Sequence, residues 1–338
     1  MTHTKIDHDL ESELAKAGVP RREWYGIAEA KRIGRRPHSV QRFGHRIVLW
    51  RDRGGTLRAH DAHCPHRGAD LGLGKIVDGC LECPWHGFRF RTDGACDLVP
   101  AEGRAYRPAA AMRLAHHVVV ERHGIVWLWD GPDEGPDARP AIPWFSELPT
   151  TAPMTVSQSS VWPVPFARAA EAMLDMNHAP FTHRRALPWL RPRMYDTKVE
   201  REGGLIRISN TYGWDDSDER VQAARFSVQF PGLMMGEVFP RMKLMAMISP
   251  IDALKTHVIT GFYVEHALGK IRGHLQMLYD RLMITPDDLK MMTSVAPLHF
   301  RTSDFHYVPS DAAMLQWHAV ARERARAQRD AQEQAAAE

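Results

Sequence analysis

Two short stretches decide how this chain is to be read: Cys64-Pro65-His66-Arg67-Gly68 and Cys83-Pro84-Trp85-His86-Gly87, with sixteen residues, Arg67 to Glu82, between His66 and Cys83. Each arm offers one thiolate and one imidazole. Two such loops folded side by side present two sulfurs and two nitrogens to whatever lies between them. Pro65, Pro84, Gly68 and Gly87 are turn formers, suited to loops that wrap a bound group and turn their backbone amides toward its sulfurs. A tetrahedral zinc site normally takes a Cys pair and then a His pair, with two or more residues between partners. Here a single residue separates Cys64 from His66, which suits two adjacent metal ions better than one.

Two adjacent irons, one held by Cys64 and Cys83 and the other by His66 and His86, make the ligand set of a Rieske [2Fe-2S] centre. There the imidazoles raise the reduction potential above that of an all-thiolate cluster. The alternatives are a zinc clip and a chance grouping of core cysteines and histidines. On these residues the chain resembles the Rieske-type non-haem iron oxygenases in their catalytic α subunit, and Phe300-Arg301-Thr302-Ser303-Asp304 and Pro309-Ser310-Asp311-Ala312 resemble the closing segments of the phthalate dioxygenase-like and vanillate O-demethylase-like group. The resemblance spans roughly residues 21–315 and implies a second iron site downstream.

The 338 residues have room for two domains. Mean hydropathy is negative, and the longest apolar runs, such as Val118-Val120 and Leu244-Ile248, are far too short to span a bilayer. The segment Met1 to His8 lacks the apolar core of a signal peptide, so a cytoplasmic protein with no membrane partner is expected. Beyond Cys64 and Cys83 only Cys80 and Cys96 remain, which is no disulfide framework. Net charge is +3, yet residues 21–60 hold eleven lysines or arginines against three acids. No nucleic-acid-binding motif accompanies them. They are either a solvated surface or a face that steers an acidic redox partner toward the cluster.

A short helix over Asp9–Lys16 sits in an N-terminal arm, residues 1–20. Short β-type runs punctuated by Gly follow: His45-Trp50, Gly55-His60, Gly87-Arg91, His117-Val120 and Gly124-Trp129. They make residues 21–135 a small antiparallel β domain with the ligand loops at its tips. The Pro-rich segment 131–143 reads as a link. Residues 136–320 form a second domain, with strands expected at Thr155-Trp162, Lys198-Tyr212, Ala224-Phe230, Met242-Ile248 and His257-His266. Helices are expected at Ala167-Asn177, Gly269-Met283, Asp287-Val295 and Asp311-Arg329. Residues 321–338 are a polar helical tail.

On the helix starting near Ala167, residues Glu171, Asp175 and His178 fall at i, i+4 and i+7 and share a face. Pro180 should end that helix just before it, and the break lets His183 return to the same metal. Two neutral imidazoles and one carboxylate, leaving other positions open, are the ligand set of oxygen-activating ferrous enzymes. Taken alone, such histidines are more often surface or capping residues.

Glu171-x3-Asp175-x2-His178-x4-His183 resembles the family's mononuclear-iron motif. By that resemblance His178 and His183 bind Fe(II), and Asp175 bridges this site to the Rieske histidines of a neighbouring subunit. Ala172 departs from the pattern, standing where many relatives place Asn. The resemblance puts the third ligand at Asp288, eight residues before Ala296, with Asp287 and then Asp304 as further candidates. The competing reading of Asp288 is a capping box with Thr285 as N-cap and Pro286 in the first turn.

The implied fold class is α+β: an N-terminal antiparallel β Rieske domain joined to a helix-grip (START/Bet v 1-like) domain that holds the mononuclear iron. The implied activity is that of a terminal oxygenase. Electrons come from a NAD(P)H-dependent flavin reductase, directly or through a ferredoxin. O2 then serves to hydroxylate or O/N-demethylate a small aromatic substrate, a carboxylated one included. Crossing of the electron between subunits implies a homotrimer. Cis-dihydroxylation uses the same iron, and a Rieske electron carrier without oxygenase activity is the reading from another class. Nine methionines between Met234 and Met292 read mostly as core, a few as lining for an apolar pocket. The basic loop Arg184 to Arg193 reads either as a solvated surface or as the source of one arginine that reaches inward to pair with a substrate carboxylate.

Overall fold

The two Cys–His loops are closed by the same pair of hydrogen bonds. The computed structural model describes residues 8–214, 219–222, 225–239, 241–299 and 301–337. Met1 to Asp7, Ala224, Phe300 and Glu338, which figured in the sequence reading, lie outside them. In the first loop the Cys64 amide donates to Ala69 and the Gly68 amide to the Cys64 carbonyl, at 2.9 and 2.8 Å. In the second, Cys83 donates to Phe88 and Gly87 to Cys83, at 2.8 and 3.1 Å. Both loops end on a glycine in the left-handed region, φ +76° at Gly68 and +71° at Gly87, which a side chain would disfavour. For the same reason the strand expected from Gly87 shrinks to Arg89–Phe90.

Behind the tips stand an antiparallel sheet of Lys75–Val77, Cys80–Glu82, Arg89–Phe90 and Cys96–Leu98 and another of His38–Arg42, His45–Arg51 and Leu57–Asp61. Trp50, Leu71, Leu81, Phe88 and Phe90 form their core, with the Cys64 and Cys83 thiols at its edge. A further sheet of Trp24–Glu29, Ile125–Trp129 and Val119–Arg122 completes this part. The strand Trp24–Glu29 escapes sequence reading because it is buried throughout and shows no alternation.

The second part is built on one antiparallel sheet. Its order is Val156–Trp162, Thr256–Val264, Met242–Pro250, Leu233–Phe239, Arg225–Gln229, Leu205–Gly213, Arg193–Glu202, with Arg220–Gln222 paired to Leu205–Gly213. The single strand expected over Lys198-Tyr212 is therefore a hairpin turning at Gly203 and Gly204, two residues with little strand propensity. Side-chain alternation gives the sheet two buried faces. Leu233, Met235, Met245, Met247 and Ile259 pack against Trp24, Ile125, Trp127 and Trp129 of the first part. Met234, Ala246, Ile248 and Val258 face the helices. Most methionines are thus core, and the sheet is the seam that joins the two parts.

Among the described residues six α-helices accompany the sheets: α1 His8–Lys16, α2 Phe166–Leu174, α3 Ala179–Thr182, α4 Gly269–Tyr279, α5 Thr285–Met292 and α6 Ala312–Ala337. Between α4 and α5 the chain does not break but passes through a π-helical turn, Asp280–Ile284. Trp317 of α6 is buried against Phe166 and Phe230, whereas the stretch from Arg322 on is largely exposed, as its composition predicts. Among the described residues no helix is long and apolar enough to cross a membrane.

The basic stretch 21–60 is largely neutralised locally. Arg21 pairs with Asp130, Arg22 with Glu134, Lys31 and Arg32 with Glu29, Arg46 with Asp70, Arg51 with Glu121 and Arg58 with Asp52. Arg42 is buried and donates to the carbonyls of Gln41 and Ile27. Arg35, Arg36 and Arg53 remain exposed.

Candidate metal centres and the cavity between sheet and helices

At the loop tips the cysteines are buried and the imidazoles exposed. The His66 and His86 rings lie 4.7 Å apart, centroid to centroid, and His66 stacks on Phe88. The Cys64 sulfur accepts from the His66 and Arg67 amides and lies against Cys83; burial pushes its thiol up to about 11. Two adjacent buried thiols opposed by backbone amides, with two imidazoles beside them, suit a cluster whose charge those amides would stabilise. Such a group releases the thiol protons on binding.

The second site forms where α2 ends. The helix stops at Leu174, before Asp175, and not at Pro180 as expected. Asp175 ends it because its short carboxylate competes for backbone amides: Oδ1 accepts from Asn177 at 2.7 Å and from His178 at 3.3 Å. Glu171, Asp175 and His178 therefore do not share a continuous helical face. Pro180 begins α3, where a missing amide costs nothing, and carries His183 back one turn later.

His178 Nε2 and His183 Nε2 lie 3.2 Å apart. Asp288 Oδ1 is 3.4 Å from the first and 3.0 Å from the second. Three donors about 2.1 Å from a common ion and at right angles to one another would be about 3.0 Å apart. The triangle fits a divalent cation bound on one face, and among the described residues it is the one set of three such donors brought together. His178 is further held by Asp175, whose Oδ2 lies 3.3 Å from Nδ1, so Nε2 is turned toward the triangle. Burial disfavours a charge on His178, but the carboxylates of Asp175 and Asp288 outweigh it and push the imidazole up to about 10. The same contacts hold Asp175 and Asp288 below the usual carboxylate range against the effect of their burial. Two carboxylates thus stabilise positive charge here, whether on a proton or on a metal.

Asp288 is no helix cap: the π turn runs straight into α5, Ile284 precedes it, and no side chain caps its amides. Asp304 closes its own 3-10 turn, accepting from the Arg301 amide at 2.7 Å. Asp287 is the neighbour of Asp288 but lies outside the triangle.

Two cavities open on the triangle. The larger, about 520 Å³, lies between sheet and helices and is mostly apolar, with Trp162, Met173, Met234, Phe226 and Phe262 on its walls and His178, His183 and Asp288 at its edge. The smaller, about 220 Å³, lies beyond Ala172 and is bordered by Met291, Met292 and Met314. Ala172 lines both. The arginines of the loop after His183 do not line the larger cavity; Arg191 instead sits over Trp214 and Arg193 over Tyr195.

The site is anchored by long-range contacts that pattern reading does not supply. Glu171 is buried and accepts from Arg168, His318 and Tyr307, at 3.1, 2.8 and 3.4 Å. Asn177 donates to Ser310 and Asp311, and Tyr279 to the Ala186 carbonyl at 2.6 Å. Their partners lie up to 147 residues away, so no local signal marks them.

A family model for the Rieske [2Fe-2S] domain matches residues 23–117. The chain is 30% identical over 164 residues to Protein TIC 55, chloroplastic, of Arabidopsis thaliana, covering 48% of this chain and 30% of that protein. It is 31% identical over 164 residues to dicamba O-demethylase, oxygenase component, of Stenotrophomonas maltophilia, covering 48% of each. The chain thus matches less than half the length of these curated relatives. The solved structure of Pseudomonas putida CBB5 NdmA with caffeine shares the fold: TM-score 0.74 at 21% identity, over 93% of this chain and 92% of that one.

Proposed function

We propose that this chain, which carries a Rieske [2Fe-2S] domain and has Rieske non-haem iron oxygenases among its relatives and structural neighbours, is the oxygenase component of such a system. It would use O2, and electrons from a NAD(P)H-dependent reductase, to hydroxylate or demethylate a small, largely apolar ring compound. The observation that carries the reading is the triangle of His178, His183 and Asp288 at the edge of a mostly apolar cavity of about 520 Å³. That volume lies in the range of small-molecule sites.

When bound, the cluster at the tips stores an electron and the ferrous ion activates O2. Cys64, Cys83, His66 and His86 would hold the first, and His178, His183 and Asp288 the second. The rest falls to the side chains. Asp175 fixes the ring of His178 and keeps its Nδ1 proton in place. Met173, Met234, Phe226 and Phe262 exclude water and press the substrate toward the open side of the triangle. Asp175 is also partly exposed, which leaves it accessible to the tip of a second copy. A homotrimer, with cluster and iron contributed across subunits, is the assembly this reading requires. The dicamba enzyme is named as an O-demethylase, which favours demethylation over cis-dihydroxylation here.

The test is reconstitution with iron and sulfide, a reductase and NADH, followed by mass spectrometry of products from methoxylated and N-methylated aromatics. Loss of a methyl group or gain of one oxygen is expected. A protein that takes up the cluster and passes electrons, yet oxidises nothing even when supplied with iron, would instead be an electron carrier.

A further inference from the structure

The larger cavity carries its polar groups in two places. On the sheet wall Gln158 and Thr260 are cross-strand partners, so their side chains leave the same face. On the helical wall Gln276, near the end of α4, donates from Nε2 to Asp280 Oδ1 at 2.8 Å. Asp280 is the first residue of the π-helical turn, a departure from α geometry that occurs often at functional sites. Among the described residues no lysine or arginine lines the cavity; its charged groups are Asp175, Asp280, Asp288 and the two imidazoles. Asp280 is half-buried, and among the described residues Gln276 is its one side-chain hydrogen-bond partner. Burial pushes it up to about 6, opposed by the Gln276 hydrogen bond and helped by Asp288. Asp280 thus has no lysine or arginine to pair with among the described lining residues, and a desolvated carboxylate left without a direct partner charge is costly unless a ligand brings one.

We propose that Asp280 anchors a protonated nitrogen of the substrate, with Gln276 orienting the carboxylate, so that the cavity takes cationic nitrogen-bearing aromatics and turns carboxylated ones away. The inference rests on reading this cavity as the substrate site. Asp280 and Asp288 are eight residues apart, one at the start of the π-helical turn and the other in α5. The nitrogen held at Asp280 is therefore an anchor, and the reacting carbon is a different atom at the far end of the ring, facing the triangle. An aromatic ring with an aminomethyl group at one end and a methoxy group at the other holds the two on opposite sides of the ring. An arginine supplied by the loop after His183, which a carboxylated substrate would need, has no counterpart on these walls.

The test is anaerobic titration calorimetry of the iron-loaded protein with three ligands of matched shape: 4-methoxybenzylamine, 4-methoxybenzyl alcohol and 4-methoxybenzoate. The amine is expected to bind about tenfold more tightly than the alcohol, as for a hydrogen bond to a charged group, and the benzoate more weakly than either. In Asp280→Asn the amine should lose that advantage while the alcohol keeps its affinity within about twofold. Equal binding of benzoate and amine, no binding of any of the three, or an advantage that survives Asp280→Asn would each overturn the proposal. Should Asp280→Asn not fold, the wild-type order and a reduced advantage in Gln276→Leu decide it. An amine that binds preferentially but is never oxidised with reductase and NADH leaves this assignment standing and removes the oxygenase reading.

Discussion

The two histidine-bearing sites of this protein are built on opposite plans. At the loop tips four side chains come from two neighbouring loops closed by identical backbone hydrogen bonds, with buried thiols and exposed imidazoles. In the interior site His183 is buried, and its carboxylate partner Asp288 comes from more than a hundred residues further along the chain. The first depends on local backbone geometry, the second on the packing of α2 against the sheet and of α3 against α5. A change far from the tips should leave them intact, whereas the interior triangle should answer to distant residues such as Glu171, Asn177 and Tyr279.

The contrast breaks most sharply if each site is emptied in turn. Asp288→Ala should abolish product formation and mononuclear iron binding while the visible absorption of the tip cluster persists; Asp287→Asn should retain both. Iron analysis together with electron paramagnetic resonance separates the two sites, and a loss of cluster signal in Asp288→Ala would erase their independence. Conversely, Cys83→Ser should remove the cluster signal while the interior site still binds ferrous iron.

A smaller effect is expected one shell out. Asp175→Asn keeps the shape but weakens the hold on His178, and should lower iron affinity or turnover about 10- to 100-fold. Full activity in this variant would free Asp175 of both its orienting and its bridging role. Glu171→Ala leaves Arg168 without its buried carboxylate and should cost about 3 kcal/mol of stability, read by thermal unfolding. Glu171→Gln, which keeps acceptors for Tyr307 and His318, should cost less. Last and smallest, Arg35→Gln or Arg53→Gln should change stability by less than about 0.5 kcal/mol. If these exposed cations guide a reductase, the variants should slow cluster reduction at low salt, and the difference should vanish as salt rises.

Reading the chain by pattern singles out the loop tips, the histidine pair about Pro180 and the alternating strands such as Met242–Pro250; Asp288 enters only through the family resemblance, and the structure brings its carboxylate beside His178 and His183. Both Cys–His loops are short, and their chemistry follows from residue type and order alone. The misses share a cause. Trp24–Glu29 is buried on both faces and carries no period, and the hairpin at Gly203 looks like one strand when only its apolar residues are followed. The end of α2 is set by a side-chain hydrogen bond from Asp175 that a helical-wheel argument does not contain. Gln276 and Asp280 carry no local signal of a cavity wall, since their place there follows from how α4 and the π turn lie beside the sheet.

What the amino-acid sequence alone determines about this protein is therefore whatever is encoded within a few residues: two metal-binding loops, a histidine pair about a proline, and the alternation of the sheet. Which carboxylate completes the triangle, the size of the cavity and the acidic character of its walls were decided by tertiary structure. Those properties arise from distances between segments far apart in the chain, and those distances are set by how the two faces of one sheet are buried.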